Sequence, residues 1–186
     1  MSKLRVGVIF GGRSGEHEVS LMSAKSVISA LDPRKYEIIP LAIDKSGKWL
    51  LPNEAAKMLD ASVAPVLSLD TPIGEAGQPP LVPDPEAKTP FLDVVFPVLH
   101  GPHGEDGTIQ GLLELANIAY VGAGVLGSAV SMDKAMMKAV FSQAGLPVVK
   151  WETVIRRHWE REPDQITAKI EAEIGYPCFV KPANLG

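Results

Sequence analysis

The chain has 186 residues, of which 46% are hydrophobic and 22% are charged, and its formal net charge is −4. This length suits one domain, or one domain and part of another, with the composition of an ordinary globular protein. The mixed charge argues against a protein that tracks a nucleic-acid backbone or adheres to a membrane surface. One cysteine excludes an internal disulfide, and no apolar run could span a bilayer or form a signal-peptide core. We therefore expect a cytoplasmic protein.

Strands and helices are predicted to alternate along the first 145 residues. Leu4 to Phe10 is an apolar run typical of a strand, and Glu16 to Leu31 has helical spacing, with Ser14 as its N-cap. The same rules predict strands over 36–44, 49–51, 91–99 and 118–121, and helices over 53–59, 109–116 and 131–144. Residues 62–90 contain seven prolines and two glycines, so we expect an irregular loop there.

This alternation predicts an α/β domain with a doubly wound parallel sheet over residues 1–146. Gly145 suits the C′ position of the last helix, and Pro147 prevents that helix from continuing. Ligand sites in such sheets lie at the carboxyl ends of the strands. The glycine-rich loops that begin at Gly11 and Gly101 both follow a predicted strand, so we expect them to meet in one crevice.

Residues 147–186 are predicted to begin a second domain. Residues 148–155 form an extended run, 156–163 a charged loop, 164–174 a helix and 176–180 a strand. These few elements have no further partner in the sequence against which to bury their apolar faces. We therefore expect the chain to be an N-terminal fragment that is inactive alone.

The most informative segment follows the apolar run that ends at Leu99. It is HGPHGEDGTIQG, residues 100–111, in which four glycines accompany two imidazoles and two carboxylates. A plain connector needs glycine for turning, but it does not need this much titratable chemistry. The segment therefore predicts a functional loop between a strand and a helix. His103 is assigned no role and is expected to be an exposed loop histidine.

The first glycine loop, GGRSGEHEVS at residues 11–20, fits a dinucleotide site badly. Its spacing is not G-x-G-x-x-G, and Glu16 and Glu18 would repel a pyrophosphate at the helix N-terminus. The same carboxylates would attract an ammonium group, so a helix N-terminus beside them suits an amino acid. The alternative is that both glutamates only complement the helix dipole.

Four ordered blocks resemble the D-alanine–D-alanine ligases. They are VIFGGRSGEHEVSL at residues 8–21, HGPHGEDG at 100–107, SMDK at 131–134 and FVKPAN at 179–184. The resemblance implies a three-domain ATP-grasp enzyme, with a Rossmann-like first domain followed by the start of the central domain. It implies a homodimer that joins two D-alanines through an acyl-phosphate for peptidoglycan synthesis, using ATP and Mg²⁺. From the mixed charge we expect no nucleic-acid or membrane partner.

The resemblance also implies roles for individual residues. Glu16 would meet the ammonium of the first D-alanine, Val19 would line that subsite, and His100 would meet the substrate carboxylate or its network. Lys134 and Lys181 would contact ATP phosphates, a task that suits a mobile ammonium. The residues expected to hold the loops in shape are Glu105, Asp106, Gly11, Gly12, Gly101 and Gly104. We expect no metal ligand within this chain, the magnesium ligands lying beyond residue 186.

Three other functions stay open at this point. A sister ligase could use D-lactate as the second substrate. A nucleotide-binding oxidoreductase could use the first glycine loop, in which case nicotinamide would bind. A non-catalytic α/β binding domain is the third alternative.

Overall fold

A computed structural model describes residues 3–59, 63–69 and 92–185. The chain divides into two compact units, Met1–Ala129 and Val130–Leu185. The predicted boundary between residues 146 and 147 stays a prediction.

The first unit is built on a four-stranded sheet with the order β3-β2-β1-β4. Its strands are β1 Leu4–Gly11, β2 Tyr36–Ile43, β3 Trp49–Leu50 and β4 Val94–Pro97. The central strand β1 runs parallel to β2 and to β4, whereas β3 runs antiparallel to β2. The sheet is therefore mixed rather than wholly parallel. A tight turn after Asp44, in which the Gly47 N–H donates to the Asp44 carbonyl, is too short for the crossover that a parallel neighbour requires.

Seven α-helices and one 3₁₀ turn lie in the ranges given above. They are α1 His17–Ala30, α2 Pro52–Met58, a 3₁₀ turn Ala64–Val66, α3 Thr108–Leu115, α4 Val125–Met132, α5 Lys134–Gln143, α6 Arg156–Arg161 and α7 Pro163–Glu173. The helix predicted over 131–144 begins at Lys134 as α5, because Asp133 caps it by accepting hydrogen bonds from the N–H groups of Ala135 and Met136. Residues 131–132 instead end the separate helix α4, which was not predicted. None of these helices is long and apolar enough to cross a membrane.

Apolar side chains cover both faces of the sheet, as the prediction of a doubly wound domain requires. Helices α1 and α2 pack on one face, where Phe10 and Ile28 are fully buried. Helix α3 packs on the other face, where Ile9 and Leu113 are fully buried. The strands are apolar on both sides because neither face meets water.

The predicted fourth parallel strand is only a single bridge between Val95 and Tyr120. The N–H of Val95 donates to Ala119, and the N–H of Val121 donates to Val95, so the segment does lie beside β4. The chain bends at Val121 and Gly122, and Gly122 has a φ of 121°. This early bend leaves too few residues for a longer ladder.

In the second unit, the end of α5 matches its prediction. Gly145 has a φ of 76°, and its N–H and that of Leu146 donate to the carbonyls of Ser142 and Phe141 at 3.0 and 2.9 Å. This pair of bonds is the Schellman arrangement that glycine favours at C′.

Three other predictions for the second unit are wrong. The charged segment predicted as a loop forms the short helix α6. The extended run over 148–155 and the segment 176–180 form no strand. Strand backbone needs a hydrogen-bonded neighbour, and none of the described residues of this unit pairs with either segment. Phe179 and Val180 are accordingly 93% exposed.

Candidate functional site

Two loops meet at the carboxyl ends of the neighbouring strands β1 and β4. The chain leaves β1 through Gly11 and returns through α1 to β2 on one side, whereas β4 lies on the other side of β1. This reversal of strand order is the place where open α/β sheets bind ligands. The sequence prediction that the two glycine loops share one crevice is confirmed by the bonds between them.

A buried serine on α1 ties the two strand ends together. The Ser20 hydroxyl accepts a hydrogen bond from the Gly11 N–H at 2.8 Å and donates to the Val98 carbonyl at 2.5 Å. Ser20 has no exposed surface, so both backbone groups depend on it for a partner. The sequence analysis gave this residue no role.

Ser14 joins the two loops directly rather than capping α1. Its hydroxyl donates to the His100 carbonyl at 2.7 Å and accepts from the Glu16 N–H at 3.2 Å. The N-cap position of α1 is Glu16, without a side-chain cap, so the prediction of Ser14 as N-cap is wrong. The neighbouring ring of His17 is buried, with Nδ1 2.7 Å from the Gly12 carbonyl oxygen. These contacts hold the first loop against the second.

Glu16 lies against the backbone of Gly101. A Cβ atom at Gly101 would be 2.8 Å from Oε2 of Glu16, and the φ of Gly101 is 69°. Any side chain at this position would therefore displace the carboxylate and strain the backbone. No cation among residues 3–59, 63–69 and 92–185 forms an ion pair with Glu16. A half-buried carboxylate is thus left available to a ligand.

The second carboxylate of the first loop is already paired. Glu18 Oε1 lies 2.8 Å from Lys45 Nζ on the protein surface. The hydrogen bond and the charge of Lys45 lower the pKa of Glu18. Of the two glutamates that could attract an ammonium group, the structure leaves Glu16 available.

His100 is held by the helix that carries Glu16. Its Nε2 lies 3.0 Å from the Ser23 hydroxyl, one helical turn beyond the half-exposed Val19. Glu16, Val19 and Ser23 recur at the spacing of one helix face, so the sequence contained a signal for Ser23 that the analysis missed.

The two acids of the second loop accept backbone hydrogen bonds. Glu105 accepts from the Gly101 N–H at 2.7 Å, and Asp106 accepts from the N–H groups of His103 and Thr108 at 2.9 and 3.0 Å. Burial would raise the pKa of Asp106, but these hydrogen bonds together hold it below the ordinary value. The helix begins after them, at Thr108, with Gly107 as its N-cap. Both carboxylates shape the loop.

Gly104 allows the loop to fold back onto the end of β4. A Cβ atom there would lie 2.5 Å from Cβ of Leu99, a distance that side chains do not adopt. Gln110 donates from Nε2 to the Gly104 carbonyl at 3.0 Å and is buried. Its Oε1 has no partner among the described residues. Gln110 is a further loop-holding residue that the sequence analysis missed.

In the second unit, Lys134 lies beside the segment that follows Lys181. Its backbone N–H donates to the Ala183 carbonyl at 2.8 Å, and its Nζ donates to the Leu185 carbonyl at 2.6 Å. The blocks at 131–134 and 179–184 are therefore neighbours. No cluster of three or more His, Cys, Asp or Glu side chains that could hold a metal occurs in the described part of the chain.

Comparison with known proteins places this chain among ligases. The model of the D-ala D-ala ligase N-terminus matches residues 5–123, and that of the D-ala D-ala ligase C-terminus matches residues 140–186. A D-alanine–D-alanine ligase of Deinococcus radiodurans is 50% identical over 99% of this chain and 51% of its own length. One from Natranaerobius thermophilus is 48% identical over 100% of this chain and 52% of its own length.

Solved structures agree with these relatives. The VanG D-Ala:D-Ser ligase of Enterococcus faecalis has a TM-score of 0.76 at 36% identity, and the D-alanine–D-alanine ligase of Coxiella burnetii has 0.74 at 35%. Each comparison covers 100% of this chain and 53% of the other. The chain thus spans about half the length of the relatives it matches. It belongs to the D-alanine–D-alanine ligase family.

Proposed function

We propose that this chain supplies the first D-alanine subsite of an ATP-dependent ligase that makes D-alanyl-D-alanine for peptidoglycan synthesis in the cytoplasm. Family membership supports a ligase over the oxidoreductase and the non-catalytic binding domain. The names of the curated relatives favour D-alanine over D-lactate as the second substrate. Residues 1–146 form the substrate-binding domain and 147–186 the first part of the ATP-grasp domain in this proposal, which includes a homodimer.

The observation that carries the proposal is the carboxylate of Glu16 at the meeting point of the two loops, with which no cation of the described ranges forms an ion pair. An ammonium group that leaves water needs an opposite charge or a strong acceptor. Glu16 offers both, Gly101 leaves it room, and Val19 presents an apolar surface on the same helix. His100, held by Ser23, lies on the opposite loop where it can meet the substrate carboxylate or its network.

The reaction has two balanced steps. The carboxylate of the first D-alanine attacks the γ-phosphorus of ATP, which releases ADP and leaves an acyl-phosphate. The amine of the second D-alanine then attacks the acyl carbon, and phosphate and a proton leave as the peptide bond forms. This chain contributes by holding the first substrate at its ammonium end, which orients the carboxylate for both steps.

Lys134 and Lys181 are proposed to contact the ATP phosphates. The contact between the blocks that carry them supports this assignment. Magnesium neutralises charge on transferring phosphates when it is bound. The described residues hold no acidic cluster that fits it, so we assign it no ligand here.

The test replaces Glu16 with glutamine in a fusion of this chain to the part of the Deinococcus radiodurans ligase that the match leaves uncovered. Phosphate release is measured while D-alanine and ATP are varied separately. Loss of the charge-assisted bond should cost roughly 1.5–3 kcal/mol, or about ten- to a hundredfold in kcat/KM for the first D-alanine, with KM for ATP nearly unchanged.

Glu18→Gln is the matched control, because Glu18 lies two residues away and is exposed and paired with Lys45. It should leave both kinetic constants within about twofold. Normal D-alanine kinetics in a folded Glu16→Gln variant would show that Glu16 only complements the helix dipole.

A further inference from the structure

A cavity of about 320 Å³ lies beside the two loops in the first unit. Its apolar lining includes Ile43, Trp49, Leu99, Ile109 and Leu112. The first four of these residues are buried members of the core between the sheet and α3. Glu16 and Val19 do not line the cavity, whereas His100 does, so the cavity adjoins the proposed D-alanine subsite without including its ammonium end. Its size is at the lower end of the range for small-molecule sites.

Every ionisable side chain that lines the cavity is basic. Arg13, His100 and His103 line it, and no aspartate or glutamate does so among the described residues. The cavity therefore favours a negative charge beside an apolar body.

The aliphatic part of the Arg13 side chain packs against the turn that contains Gly47, beside the cavity. A Cβ atom at Gly47 would be 2.5 Å from Cδ of Arg13. Gly47 has a φ of 94°, so the turn and the packing both require glycine. No carboxylate in the described ranges forms an ion pair with the Arg13 guanidinium. A guanidinium that has no carboxylate partner among the described residues is suited to a carboxylate ligand.

We propose that this cavity is a second ligand site, which binds a monocarboxylate that carries a compact apolar or aromatic body and no ammonium group. D-Alanine itself fits poorly, because its ammonium would meet the Arg13 cation and its methyl group would leave most of the apolar wall uncovered. The site at Glu16 thus selects an ammonium group, whereas the cavity beside Arg13 selects a carboxylate on a different ligand. Both sites lie at the two loops, with Gly12 of the first loop and His100 of the second lining the cavity.

The test titrates the chain with phenylacetate and follows amide and indole resonances by two-dimensional NMR. We expect saturable shifts at the Trp49 indole N–H, Gly12 and Leu112. Phenylacetamide, which has nearly the same shape but no charge, should bind about three- to tenfold more weakly, since Arg13 is partly exposed to solvent. Arg13→Gln should remove this difference between the acid and the amide.

A second variant tests the apolar wall. Leu112→Trp places a larger side chain in the cavity and should weaken both probes at least tenfold. Leu115→Phe is the control, because Leu115 lies on the same helix but is 89% exposed and outside the cavity. Glu16→Gln should leave phenylacetate binding unchanged even if it abolishes the use of D-alanine, so this proposal and the proposed ligase function fail independently.

Three results would overturn the inference. The first is resonance shifts that do not saturate, and the second is equal affinity for phenylacetate and phenylacetamide in the unaltered chain. The third is displacement of phenylacetate by D-alanine in the unaltered chain but not in the Glu16→Gln variant. The Arg13→Gln result stands even if Leu112→Trp does not fold, because Arg13 is a surface residue whose replacement leaves the core intact.

Discussion

The two compact units use similar apolar content in different ways. The first unit buries its strands on both faces, and residues such as Ile9 and Leu41 have no exposed surface. The second unit contains helices α5 to α7, and the described residues between 133 and 185 include none that is buried. Phe179 and Val180, which lie in an apolar run of strand type, are almost fully exposed.

In this chain, an apolar run forms a strand only where another strand accepts its hydrogen bonds. In the first unit, Leu4–Gly11 has a partner on each side, and both loops of the candidate site are anchored to its end. In the second unit the equivalent runs have no ladder. We therefore expect stability and precise side-chain placement to be concentrated in the first unit.

The largest expected effect compares core truncations in the two units. Ile28→Ala removes a fully buried side chain between α1 and the sheet and should lower the free energy of unfolding by roughly 2–5 kcal/mol. Ile170→Ala on α7 removes a half-buried side chain and should cost less than about 1.5 kcal/mol. Urea unfolding, followed at Trp49 for the first unit and at Trp151 and Trp159 for the second, measures both. Equal decreases in the free energy of unfolding for the two variants would contradict the expected difference in stability between the units.

Two glycines of the first unit allow a crowded loop position to be compared with an open helix position. Gly104→Ala forces a methyl group to within 2.5 Å of Leu99 and should destabilise the unit by about 3 kcal/mol or more. Gly111→Ala on α3 meets no atom within 4 Å and should stabilise it by roughly 0.5–1 kcal/mol. Thermal unfolding of the two variants should therefore shift in opposite directions. A tolerated Gly104→Ala would mean that the loop does not need its close approach to β4.

Ser20→Ala tests the bond that joins the ends of β1 and β4. It leaves the buried Gly11 N–H and Val98 carbonyl without a partner and should cost roughly 2–3 kcal/mol. Ser26→Ala on the same helix removes an exposed bond to Met22 and serves as the control, with a change below about 0.5 kcal/mol. Hydrogen exchange at Gly11 and Gly12 should accelerate only in the Ser20 variant. Unchanged exchange there would show that other contacts hold the loops.

The smallest expected effect is a pH dependence of the contribution that Asp106 in the second loop makes to the free energy of unfolding. Because the pKa of Asp106 is lowered in the folded chain, its contribution is present above the unfolded pKa of about 4 and is lost as the pH falls through the folded value. Asp106→Asn keeps one acceptor for two N–H donors, so it should cost about 1 kcal/mol at pH 7 and progressively less toward pH 2.

Urea unfolding across this pH range measures the effect of Asp106. Asp164→Asn, in the exposed first turn of α7, should leave the profile of the first unit unchanged. A constant difference between Asp106→Asn and the unaltered chain from pH 7 to pH 2 would contradict the assignment.

Much of the fold follows from local patterns in the sequence. The strand over Leu4–Gly11, the helix over His17–Ala30 and the glycine C-cap at Gly145 were all predictable, because periodicity and capping depend on residues close in the chain. The family blocks likewise identified the two loops. The strand predicted over 176–180 failed because it has no strand partner among the described residues, whereas the tight turn before β3 and the cap at Asp133 are local signals that were missed.

The assembly of the candidate site depends on contacts between residues that are distant in the sequence. Ser14 and His100 are 86 positions apart, and Ser23 and His100 are 77 apart, yet each pair shares a hydrogen bond. The same holds for the cavity that brings Arg13 beside Trp49 and Leu112. The sequence alone established which residues carry charge and which segments favour a helix or a strand, because these are local properties. The pairing of distant side chains required the sheet, since only the register of β1 and β4 brings the two loops to one edge.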